Sequence, residues 1–127
     1  MKEKINKILK LANLSPVIAL NENSESFNNA IILPANIKSK DLGVVALKQG
    51  LKVPTWFTKL FDENKKIIVI DKLDTIDLYN QEKFYELLKY KTISSVNLPD
   101  DCSIIITALD INKISPNILS LCLIYKE

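Results

Sequence analysis

Any chemistry this chain performs must rest on carboxylates, lysines and hydroxyls. Its 127 residues contain no histidine, and all 17 basic residues are lysines. Imidazole is therefore missing as base, shuttle or metal ligand, and no guanidinium can clamp a phosphate bidentately. The most pointed arrangement is Ile67-Ile68-Val69-Ile70-Asp71-Lys72, an unbroken branched apolar run that ends in a carboxylate and an ammonium. A second run, Ser103-Ile104-Ile105-Ile106-Thr107-Ala108, again has a carboxylate, Asp110, just beyond its end. Runs of this kind suit strands buried on both faces of a parallel sheet, whose carboxyl ends border the ligand crevice of open α/β folds. There Asp71 could hold Mg²⁺, with Asp74, Asp110 and Glu22 as further oxygen donors, and Lys72 could hold an anion as a point charge. The plainer alternative makes Asp71 a turn former at the end of a core strand. A phosphatase-like nucleophile does not fit, because the next carboxylate lies three residues on, at Asp74, rather than two.

The elements that would position these groups follow from the apolar spacing. Residues 2–13 repeat apolar side chains at Ile5, Ile8, Leu9 and Ala12, which predicts a helix with one buried stripe that ends before Ser15-Pro16. Val17–Leu20 and Ala30–Leu33 are short strands joined by a polar link, Asn21 to Asn29. That link is shorter than the dozen residues a parallel crossover usually needs, so the reading favours a minimal helical turn at 24–28 over antiparallel pairing. Residues 44–49 could be a short helix or an extended arm. Pro54 then opens a helix whose apolar face comprises Trp56, Leu60, Phe57 and Phe61. A helix from Asp77 or Asn80 to about Tyr90 follows the first long strand. A Leu98-Pro99-Asp100 turn precedes the second strand, and a short helix with Ser115 at its cap and Pro116 in its first position leads to a last strand at 121–125. The alternation predicts one α/β domain over 1–127, a three-layer sandwich around a mostly parallel sheet of about five strands.

Composition narrows the function classes. A net charge of +2 and scattered lysines make direct nucleic-acid binding improbable. No apolar run approaches the roughly 20 residues of a membrane span, and the N-terminus lacks the pattern of a signal peptide, so cytoplasmic residence is expected. Cys102 and Cys122 lack metal-ligand spacing and read as reduced and buried.

The order Asp41-Leu42-Gly43, Pro54-Thr55-Trp56-Phe57, Ile67–Asp71, Phe84–Leu88, Leu98-Pro99-Asp100, Ile104–Ala108 and Ile114–Cys122 resembles the later part of a MoxR-like AAA+ ATPase core. The Ser120-Leu121-Cys122 ending also resembles clamp-loader subunits. The resemblance implies a P-loop NTPase fold, with Asp71 as the remnant Walker B metal ligand and Thr107 near the sensor-1 position. Asp71, Lys72, Thr107 and Asp110 are then the remnant cofactor site. The departures are as informative. Asn21–Asn29, at the Walker A position, holds no glycine and no lysine. Lys72 replaces the Walker B glutamate and Leu121 the arginine finger, and the chain ends where a lid would follow. Loss of an arginine finger alone costs about 10³–10⁵ in rate. The resemblance therefore implies an inactive AAA+-like interaction module without a cofactor. Its partners would be proteins, either an active AAA+ ATPase or further copies of itself. The alternative is a regulatory subunit that binds Mg²⁺ and ATP without turnover.

Overall fold

The computed structural model describes residues 2–127. Five strands form the main sheet: β1 (Val17–Leu20), β2 (Ala30–Pro34), β3 (Ile67–Asp71), β4 (Ser103–Ala108) and β5 (Leu123–Tyr125). Their spatial order is β2-β3-β4-β1-β5, and every neighbouring pair is parallel. The expected α/β architecture holds, with a sheet that is parallel throughout. The two long apolar runs, β3 and β4, lie side by side in the sheet interior, with Ile68 opposite Ile104 and Ile70 opposite Ile106. Burial on both faces is why their sequences show no polar alternation.

The two faces are covered unequally. Ile68, Ile70, Ile104 and Ile106 point into a large core completed by α2 (Thr55–Asp62), α3 (Tyr85–Tyr90) and α4 (Pro116–Leu119). Val17, Ala19, Val69 and Ile105 point the other way, onto Ile8 and Ala12 of α1 (Lys2–Ala12) and onto Phe27. This second layer is thin for a geometric reason. The chain must travel from the end of β1 to the start of β2, three strand spacings away, or about 14 Å sideways and a strand length back. Nine residues of helix would advance only about 14 Å, whereas the same residues nearly extended reach about 30 Å. Residues 21–29 therefore cross the sheet with one 3₁₀ turn, Ser24–Ser26, and Phe27 fills the face in place of a helix. The favoured short turn is present. β1 and β2 do not pair at all, because β3 and β4 lie between them.

One open alternative is settled and two local expectations are corrected. Residues 45–52 form a two-stranded hairpin, Val45–Leu47 against Gly50–Lys52, so the arm is extended and not helical. Phe61 is 55% exposed at the end of α2 and does not join Trp56, Phe57 and Leu60 in the core. The stretch after Asp77 is not one helix but a helical turn at Leu78–Gln81, a 3₁₀ turn at Glu82–Phe84, and α3. Asp77 does cap it, accepting from the Asn80 N–H at 2.8 Å. Ser115 occupies the cap position of α4, but its hydroxyl donates to the Glu82 carboxylate instead of capping.

Glu86 organises the region beneath the arm. Its carboxylate accepts from the Thr92 hydroxyl at 2.6 Å, the Ser95 N–H at 2.8 Å and the Ser94 N–H at 3.2 Å. These bonds close the small hairpin Thr92–Ile93/Val96–Asn97 around two residues with positive φ. The Ser94 hydroxyl in turn accepts from the Val44 N–H at 3.0 Å, and a Cβ at Gly43 would meet that oxygen at 2.8 Å. A side chain at position 43 would therefore have to displace the Ser94 hydroxyl from its bond to Val44.

Two outcomes follow. Trp56 is buried and donates its indole N–H to the Leu42 carbonyl at 3.1 Å. Trp56→Ala should therefore cost about 3–5 kcal/mol in urea unfolding, against little for Phe61→Ala; equal losses would refute the assignment of only one ring to the core. The Thr92 hydroxyl, with help from Ser95 and Ser94, lowers the Glu86 pKa. A depressed carboxyl stabilises the fold above its unfolded value, about 4.3, and that stability is lost as pH falls through the folded value. Glu86→Gln should lower stability at neutral pH and flatten its decline below about pH 4.5. An unchanged acid limb in unfolding curves would contradict this.

Candidate functional site

The parallel register of β3 and β4 brings the chemistry-bearing residues to one sheet edge. Asp71 ends β3, one position beyond the Ile70–Ile106 pair, and Thr107 stands next to it on β4. The Thr107 hydroxyl donates to Asp71 Oδ1 at 3.0 Å and accepts from the Lys72 N–H at 2.9 Å. Lys72 reaches that position by adopting left-handed backbone, φ 57°, which ends the strand and starts a 3₁₀ turn, Leu73–Thr75. Three of the four predicted residues, Asp71, Lys72 and Thr107, thus form one connected node. Thr107 is buried and both of its hydrogen-bonding roles are engaged within the protein.

The fourth residue behaves differently. Asp110 Oδ1 accepts from the Asn112 N–H at 2.9 Å and caps the turn Ile111–Lys113, so its carboxylate serves local structure. Asp74 is fixed as well, its Oδ2 accepting from the Leu109 and Asp110 N–H groups, each at 2.9 Å. Glu22 pairs with Lys4 of α1 at 3.1 Å, and this bond to Glu22 is the main cause of a raised Lys4 pKa. The four carboxylates weighed together as a metal cage are therefore engaged in separate tasks. Among the described residues, no group of three or more histidine, cysteine or carboxylate side chains gathers where a cation could sit. Both cysteines are free thiols whose pKa values burial raises, to about 11 at Cys102 and about 12 at Cys122, which suppresses thiolate chemistry.

Asp71, Lys72, Asp74, Thr75 and Thr107 border a cleft of about 410 Å³ whose opposite wall is the link, Asn21 to Glu25. Four of the nine N–H groups of the link are turned toward the link itself and the sheet. The N–H of Asn21 donates to the Ala108 carbonyl, that of Glu25 to Asn23 Oδ1, and those of Ser26 and Phe27 to the carbonyls of Asn23 and Ser24. Asn21 and Asn29 supply the left-handed backbone that glycine would otherwise provide. Behind the node, the fully buried Gln81 donates to the carbonyls of Ile76 and Lys113 and accepts from the Ser115 N–H at 2.7 Å. Sequence reasoning missed Gln81 because a glutamine in an amphipathic stretch has no signature of burial. It also missed the task of Asp74, whose partners lie 35 and 36 residues away.

With this geometry in hand, the chain can be compared with known proteins. It is similar to a crystal structure from Cytophaga hutchinsonii described as a "putative ATPase", with a TM-score of 0.52 and 11% identity; the likeness covers 87% of this chain and 38% of that one. At that identity the likeness is one of fold alone, and the chain spans well under half of its neighbour's length. No protein-family model matches the chain, and no curated protein matches its sequence. No helix among the described residues is long and apolar enough to cross a membrane.

The node itself is testable. Thr107→Val strands the Lys72 N–H and one Asp71 oxygen, and should destabilise the fold by about 1–3 kcal/mol. Asp71→Asn keeps an acceptor for the hydroxyl and should cost much less. Chemical denaturation of the two variants decides, and the reverse ranking would show that the node does not hold the strand ends.

Proposed function

We propose that this chain is an ATPase-fold domain that has kept the scaffold and lost the phosphate-handling parts, and that it serves as a protein-interaction or scaffold module. The observation that carries the reading is the link between β1 and β2. A phosphate cradle needs backbone N–H groups aimed outward, usually through glycines, and a helix whose N-terminus faces the anion. Here the nine residues hold no glycine and no lysine, contain only a three-residue 3₁₀ turn, and spend four N–H groups on their own turn and on β4. ATP with Mg²⁺ therefore does not fit this site in the P-loop manner.

The second half of the argument concerns the water-activating position. Lys72 follows Asp71, and an ammonium cannot accept a proton at neutral pH. Asp71 keeps one oxygen free of Thr107, so a single carboxylate oxygen is what the node offers a metal. A regulatory subunit that holds Mg²⁺ and nucleotide without turnover is the competing reading. It would have to bind through Asp71 and Lys72 alone.

Thermal unfolding with and without millimolar Mg²⁺–ATP or Mg²⁺–ADP separates the two. A ligand at about 100 times its Kd adds roughly 2.7 kcal/mol, a plain shift of the midpoint. The interaction-module reading predicts no shift. A shift that Asp71→Ala abolishes would overturn it in favour of nucleotide binding.

A further inference from the structure

The least integrated part of the molecule is the hairpin arm, residues 45–52. Its two short strands pair with each other and with no other strand. Cross-strand partners share a face, so Ala46 and Leu51 point one way and Leu47 and Gly50 the other, and all four are exposed. Leu47 is 50% exposed, Leu51 70% and the adjoining Val53 42%. A lone two-stranded hairpin is marginal in water, and apolar side chains on both of its faces leave it with no side that prefers solvent. Its charges are of one sign. Between Leu42 and Phe61 the charged residues are Lys48, Lys52 and Lys59, with no carboxylate.

The same chain carries a surface of opposite character. The cleft at the carboxyl ends of β1, β3 and β4 is lined by Glu25, Asp71 and Asp74 against Lys72, and by Glu22, which pairs with Lys4; its rim bears Leu109, 76% exposed.

From this complementarity we infer that the arm of one copy seats in the acidic cleft of a second copy, and that a two-fold axis makes the contact reciprocal. Leu47 and Leu51 would lie against Leu109 and the apolar lining, while Lys48 and Lys52 meet Glu25 and Asp71. Opposite charges then set the register and the salt dependence, and the apolar tip supplies the desolvated centre. The inference deepens the interaction-module reading and rests on it only in taking the cleft to be open to protein.

Sedimentation velocity over a range of concentrations tests it. The chain should sediment as a dimer in equilibrium with monomer at low salt, with Kd raised at least tenfold in 0.5 M NaCl. The arm variant Lys48→Glu/Lys52→Glu and the cleft variant Glu25→Lys should each be weakened, and mixing them should recover association because the charges are swapped. All three substituted side chains are exposed, so thermal midpoints should stay near that of the parent and report intact folds. A chain monomeric at every concentration, or dimers indifferent to both variants and to salt, would overturn the inference. Neither result would touch the interaction-module reading, which the nucleotide titration tests independently.

Discussion

The parallel pairing of β3 with β4 is the contact on which the rest of this molecule depends. Both strands are apolar on both faces, so they are stable only at the centre of a sheet with a layer above and below. Their register also sets the site. With Ile70 opposite Ile106, Asp71 and Thr107 fall side by side at the edge, and a hydroxyl there can bridge the end of one strand to the turn after the other. A slip of one residue would exchange the two faces and pull Thr107 from the carboxylate.

A second constraint is the reach of the chain between β1 and β2. Nine residues must cross three strand spacings, and that distance forces an extended path and excludes a helix. The functional consequence follows from the same geometry. With only a three-residue 3₁₀ turn after β1, the link brings no α-helix N-terminus to the cleft, and four of its N–H groups are turned toward Ala108 and the link itself. The sheet does not depend on a helix between β1 and β2; Phe27 and α1 cover the face instead.

Polar groups inside the domain are paired with care. Gln81 is wholly buried and ties the segments after β3 to those after β4, and Glu86 gathers three donors to close a tight hairpin. Among the described residues, no buried side-chain nitrogen or oxygen lacks a partner. This close pairing contrasts with the arm, where exposed leucines stand without cover.

The sequence by itself determined the elements whose signal is local. The two long apolar runs, the stripe of α1, the cap at Asp77 and the proline before α2 are short-range facts of side-chain size and backbone freedom, and they place the strands and most helices within a residue or two. The strand-end pattern brought Asp71, Lys72 and Asp110 forward, because strand ends in an α/β sheet share an edge, whereas Thr107 entered only through the resemblance. Tertiary structure decided what depends on distant partners. It set the order that puts β3 and β4 between β1 and β2, turned residues 45–52 into a hairpin, and left Phe61 in solvent. It also gave Asp74 and Asp110 to backbone amides rather than to a shared ligand. A carboxylate has the same appearance in a sequence whether it meets a cation, a lysine or a peptide N–H. Only the packing of segments some 35 residues apart selects which.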